Sequence, residues 1–104
     1  MERDYQAKLI KKLRKLFPGC VILKNDSEYM PGVPDLIILF RDKWAMLEVK
    51  KSEEAENQPN QEYYISELDK MSFASFIWPE IEEEVILDLQ RSLRPYRTTR
   101  LSKR

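Results

Sequence analysis

The sequence predicts an α/β fold in which a short mixed sheet is flanked by helices. Three observations carry this. Apolar residues recur at helical spacing in three segments. Four short apolar runs rich in β-branched and aromatic residues stand among them. The resulting order, α-β-β-β-α-β-α, sets a helix between the third and fourth strands, as a crossover between parallel strands requires.

Residues 4–17 read as the first helix, with Tyr5, Leu9, Ile10, Leu13, Leu16 and Phe17 on one stripe and Lys and Arg between them. Pro18-Gly19 ends it. "CVILK" (20–24) is the first strand, and Cys20 within it reads as an inert core residue. "NDSEYMPGVP" (25–34) is a loop with two Pro and one Gly. "LIILF" (36–40) is continuously apolar, which predicts a central strand buried on both faces. "RDK" (41–43) is a turn, "WAMLEVK" (44–50) the third strand and "KSEEAENQPN" (51–60) a polar loop. "QEYYISELDKM" (61–71) is a helix and "SFASFIW" (72–78) the fourth strand. "PEIEEEVILDLQRSL" (79–93) opens with Pro and three nearby Glu, as a helix N-terminus should. No internal repeat is present.

The 104 residues suggest one domain, 1–90, followed by a basic tail, 91–104. Residues 1–90 hold twelve Lys and Arg against eighteen Asp and Glu, whereas the last fourteen hold six basic residues and no acid. Such a tail is either a nucleic-acid arm or a solvated end. No run of about 18 apolar residues exists to span a membrane. The N-terminus lacks the apolar core of a signal peptide. One Cys cannot form an internal disulfide, so a reducing, cytoplasm-like compartment is expected. There is no His, which removes His-based triads, His-metal nucleases and most zinc sites. Acid-base or metal chemistry must then come from carboxylates, Lys, Tyr or Cys20. Hard oxygen ligands suit magnesium or manganese.

The stretch "GVPDLIILFRDKWAMLEVKK" (32–51) concentrates the candidates. Trp44, Met46, Glu48 and Lys50 alternate onto one strand face; Ala45, Leu47 and Val49 take the other. If the two strands form a hairpin, Asp35 and Glu48 fall at the same end of the sheet. A three-residue loop would pair Leu36 with Glu48 and put Asp35 on the opposite face. A two- or four-residue loop, or a bulge, brings both carboxylates onto one face. Two adjacent carboxylates repel unless a cation lies between them. A divalent ion there, with a neighbouring Lys to orient or deprotonate water and offset charge on a phosphate, makes a site for phosphodiester hydrolysis. Taken singly, the three residues read as strand-end charges and a turn former; taken together, they read as that site.

These residues resemble the core of the PD-(D/E)XK nuclease superfamily: Pro34-Asp35, twelve residues, then Glu48-Val49-Lys50. Within it, the closest likeness is the VRR-NUC group, including stand-alone phage and bacterial forms. The "GVPDL" form of the first motif is typical of that group. So are a Glu and a Gln four apart on the first helix, here Glu2 and Gln6, and a Gln opening the helix after the Lys strand, here Gln61. The likeness covers residues 2–90 and implies a restriction-endonuclease-like α-β-β-β-α-β core.

The resemblance implies that Asp35 and Glu48 bind Mg2+ or Mn2+ with the Val49 backbone carbonyl. Lys50 is then the catalytic lysine, and Glu2 a further ligand, direct or through water. Helical spacing places Glu2 on the stripe leading to Leu9 and Leu13, with Asp4 as its substitute; a helix-terminal charge is the plainer reading of Glu2. Gln61 would touch a phosphate or the attacking water, or simply start its helix. Stand-alone members look like Holliday junction resolvases, so the implied activity is metal-dependent endonuclease cleavage of branched DNA by a homodimer in a bacterial or phage-infected cell. "EVILDL" (84–89) would form the dimer surface or pack on the sheet. The alternatives are a catalytically silent nuclease fold serving as a DNA-binding or assembly module, and a restriction-like nuclease cutting linear duplex. Loop 25–34 should border the site. Lys51 reads as a phosphate contact or, more plainly, a solvated charge, Tyr63 and Tyr64 as base-stacking or helix-packing residues, and Trp44 and Trp78 as core or interface.

Overall fold

The computed structural model describes residues 2–25, 31–55 and 60–94, with the Glu2 side chain excepted. The elements are α1 (Glu2–Leu16), β1 (Val21–Lys24), β2 (Leu36–Phe40), β3 (Lys43–Val49), α2 (Gln61–Met71), β4 (Phe73–Ile77) and α3 (Glu82–Leu93). A 3-10 turn, Pro79–Ile81, leads into α3. The boundary expected at residue 90 falls inside α3, whose Leu93 is buried; residues 95–104 of the expected tail lie outside the described residues.

The helix ends follow local chemistry. Leu9, Leu13 and Phe17 recur four apart and are fully buried, so one stripe of α1 is core. Gly19 ends it at φ 89°, a left-handed backbone that favours Gly. The α1 stripe and the α3 residues Val85, Ile86, Leu89 and Leu93 share one core cluster with the sheet residues Leu36, Ile38, Phe40, Ala45, Leu47, Val49 and Ile77. Burying each of these side chains larger than Ala45 stabilises the fold by about 1.5–3 kcal/mol. Phe17 and Phe40 meet edge-to-face at 5.3 Å. The Arg94 guanidinium lies over both rings and donates to the Leu16 carbonyl (2.8 Å), satisfying an open acceptor at the end of α1.

The sheet order is β1-β2-β3-β4, with β1–β2 and β2–β3 antiparallel and β3–β4 parallel. It is therefore a mixed four-stranded sheet flanked by helices. One face packs on α1 and α3. Over the other, α2 reaches β3 and β4, where Ala74 is buried and Gln61 meets Glu48.

One expectation is corrected here, and one left open is decided. β2 is not buried on both faces: Leu36, Ile38 and Phe40 are buried, but Ile37 is half-buried and Leu39 is 39% exposed. The reason is that α2 covers the β3–β4 side of that face, leaving the edge strand β1 and β2 open, with Val21 and Leu23 about half exposed. Of the two readings of 84–89, packing within the chain is the one observed. Val85, Ile86 and Leu89 are spent on the intrachain core, and Leu87 alone of the segment's apolar residues is exposed. Cys20 lies just before β1 and is half-buried beside the core, with its thiol pushed up by burial.

Among the described residues, no helix is long and apolar enough to cross a membrane.

Candidate active site

The site begins with the hairpin turn. Phe40 pairs with Lys43, so the loop has two residues, Arg41 and Asp42. Arg41 takes φ 59°, the positive value that two-residue hairpins need at this position. The register that goes with this loop is held by Leu36, Ile38 and Phe40, all buried in the core. Leu36 pairs with Leu47, and one step further Asp35 stands opposite Glu48. The three-residue alternative is excluded, and both carboxylates lie on the face opposite the core.

The two acids are tied to each other's strands. The Asp35 N–H donates to Glu48 Oε1 (3.1 Å), and the Val49 N–H donates to Asp35 Oδ2 (3.1 Å). Val49 thus engages Asp35 through its N–H. Asn25 extends the row: its N–H donates to the Asp35 carbonyl (2.7 Å) and its Nδ2 to the Val33 carbonyl (3.3 Å). Gly32 enters the segment at φ 93°. So the start of loop 25–34 borders the site as expected; Asp26, Ser27 and Glu28 lie outside the described residues.

Among the described residues, Glu48, Lys50 and Gln61 are the buried polar side chains, each less than 10% exposed. Gln61 opens α2 directly after Asn60, whose left-handed φ of 74° turns the chain over the sheet. Its Nε2 donates to Glu48 Oε2 (2.6 Å). Lys50 Nζ donates to the Glu53 carbonyl (3.3 Å) and lies 5.2 Å from the Phe76 ring centroid and 5.4 Å from that of Trp78. Burial pushes the Asp35 carboxyl above the usual aspartate range; the Val49 N–H draws it part of the way back.

Asp35, Glu48, Val49 and Gln61 are therefore joined by hydrogen bonds, and Lys50 follows Glu48 on the same strand face. Glu2 begins α1, but its side chain lies outside the described residues. Asp4 is exposed. Lys51 is exposed. Tyr63 is 62% exposed and rests edge-on against Tyr64, so it does not pack α2 onto the sheet.

Among the described residues, no group of three or more His, Cys, Asp or Glu gathers about one point. Two carboxylates on facing positions do, and hard oxygen donors of this kind fit magnesium or manganese rather than a soft metal. Asp35 Oδ1 accepts no hydrogen bond among the described residues.

Sequence reasoning missed the surroundings of Lys50. Phe76 and Trp78 alternate in "SFASFIW", a visible signal, but nothing local assigns β4 its register against β3. Observed, Phe76 pairs with Glu48, and the Lys50 N–H donates to the Ile77 carbonyl (2.8 Å), which sets Trp78 beside Lys50.

No family model matches the chain, and no curated protein or solved structure does.

Proposed function

We propose that the chain is a metal-dependent DNA endonuclease of the PD-(D/E)XK type, closest to the VRR-NUC group, that cuts branched DNA as a homodimer. One observation carries the reading. Across the β2–β3 hairpin Asp35 stands opposite Glu48, with Lys50 two residues further on the same face. The element order supports it, since it is that of the superfamily's restriction-endonuclease-like core.

Asp35 and Glu48 would hold Mg2+ or Mn2+, with the Val49 carbonyl and Glu2 as further ligands. When bound, the ion would polarise a phosphate oxygen and lower the pKa of a water. Gln61 holds Glu48 in place through its hydrogen bond, and the Asp35 and Val49 N–H groups fix the two carboxylates relative to one another. Lys50 supplies the positive charge that offsets negative charge building on the phosphate and orients the attacking water. A four-way junction has two-fold symmetry and needs two coordinated cuts. One chain carries one such site, so a symmetric pair of chains supplies both.

The test is cleavage of labelled four-way junction, flap, linear duplex and single-stranded DNA with magnesium, manganese or EDTA. Metal-dependent paired cuts in the junction, reduced at least about 100-fold by Lys50→Ala, are expected. Cutting of flaps or linear duplex instead keeps the nuclease and discards the resolvase. Binding in EDTA without cleavage of any substrate favours the silent DNA-binding module.

A further inference from the structure

Lys50 and Glu48 sit two residues apart on one strand face, within reach of each other through a flexible four-carbon stem. An ion pair between them would be attractive in so buried a place. Lys50 nevertheless makes no ion pair among the described residues. Its Nζ instead meets two aromatic faces and one backbone carbonyl, all uncharged. Both centroid distances fall inside the roughly 6 Å at which a ring face attracts a cation. The two Glu48 oxygens accept from the Asp35 N–H and from Gln61 Nε2.

The parallel ladder builds this arrangement. Phe76 is the register partner of Glu48, and the hydrogen bond from Lys50 N–H to the Ile77 carbonyl carries the pairing past the end of β3. Trp78 keeps an extended backbone, φ −147° and ψ 166°, before Pro79 turns the chain away. Alternation then puts Phe76 and Trp78 on the face of Glu48 and Lys50. The rings are half-buried, so they wall the ammonium without sealing it.

We propose that Phe76 and Trp78 are positioning residues for Lys50. They hold its ammonium off Asp35 and Glu48, so that its charge and remaining donors meet a phosphate rather than the carboxylates. This rests on the nuclease reading above, in which Lys50 acts on the phosphate. A ring wall does what a carboxylate partner cannot: it localises the cation without neutralising it.

The experiment combines kinetics with a contact measurement. Trp78→Leu and Phe76→Leu keep apolar bulk and remove the π face. Each is expected to lower kcat about tenfold, with KM for DNA and Tm little changed, while Trp78→Phe restores most of the rate. In a Lys50→Met background, Trp78→Leu is expected to cost nothing further. Independently, NMR of the Lys50 ε-methylene should show an upfield ring-current shift that Trp78→Leu removes. An ordinary ε-methylene shift in a wild type that cleaves overturns the proposal while leaving the nuclease standing. So does an equal loss from Trp78→Leu with and without Lys50. A wild type that cleaves nothing overturns the nuclease reading, and the catalytic role of the wall with it, even where the shift is present.

Discussion

Asp35 is half-buried and accepts one backbone N–H, and its carboxyl is held above the usual aspartate range. The folded chain therefore binds the Asp35 proton more tightly than the unfolded chain does. By linkage, the associated stability is fully present below the ordinary aspartate pKa and is lost as pH rises through the folded value. At neutral pH Asp35 is a local liability, as residues kept for chemistry often are. Asp35→Asn keeps an acceptor for the Val49 N–H and removes the charge. In EDTA its Tm at neutral pH is expected to exceed that of wild type by about 2–5 °C, the scale of a change below 1 kcal/mol in a domain this size. The gap should close on acidification, and a thermal melt series across pH reads it. Magnesium or manganese should reverse the order. An ion at 100 times its Kd adds about 2.7 kcal/mol to a chain that binds it, and Asp35→Asn should gain little. Equal metal stabilisation of both proteins would remove Asp35 from the ligand set.

Elements were the most legible scale, and register the least. Seven segments announced themselves through apolar spacing and Pro-Gly breaks. The face shared by Asp35 and Glu48 hung on one loop residue more or less, which "RDK" does not decide. The neighbours of Lys50 depended on a parallel register, and the open face of β2 on how far α2 extends; neither is written locally. What holds the hairpin register is the core rather than the turn. A one-residue slip would turn Leu36, Ile38 and Phe40 out of the core, at roughly 5–9 kcal/mol for three side chains. Enlarging the loop by one residue costs under about 1 kcal/mol. Inserting Gly after Asp42 should therefore leave metal-dependent cleavage within a few-fold of wild type, with a slightly lower Tm. Loss of cleavage in a folded insertion variant would show that the turn dictates the register. A second inter-element tie links α1 to α3. Tyr5 Oη donates to Glu82 Oε1 (2.8 Å) and Lys12 Nζ to Oε2 (2.5 Å). Burial pushes the Glu82 carboxyl up, but the bonds from Lys12 and Tyr5 outweigh it and hold the group below the usual range. This contribution is present above the ordinary glutamate pKa and is lost as pH falls through the folded value, the opposite sense to Asp35. Glu82→Gln should cost about 1–2 kcal/mol at neutral pH and flatten the acid limb of the Tm–pH curve.

At the scale of the whole molecule, a homodimer needs a surface that α3 does not provide. The open sheet face is the candidate. Two cross-strand rows lie there, Val21–Leu39–Trp44 and Leu23–Ile37–Met46, and neither carries a charge. Val21, Leu23 and Leu39 are 39–50% exposed, and the other three are half-buried. Uncharged rows cannot neutralise phosphates, so nucleic acid is a poor occupant. A second copy is the occupant that the homodimer of the proposed function would place there. Residues 1–90 carry an excess of acids, and two such bodies repel wherever acids meet, but these rows bring no like charges together. A two-fold axis between the rows lets the first row of one protomer pack on the second row of its partner, as an isologous contact requires. The next row along is Asn25, Asp35 and Glu48, so pairing here would couple the two candidate sites directly. Leu23→Lys adds a charge at an exposed position outside the core. It should leave Tm at low concentration nearly unchanged and convert a dimer to a monomer in light scattering. On a plasmid cruciform, wild type should release linear product in one binding event, and Leu23→Lys should accumulate nicked circles. A wild type that is monomeric at the concentrations where it linearises the cruciform would exclude this pairing, and would leave two independent encounters as the source of the paired cuts.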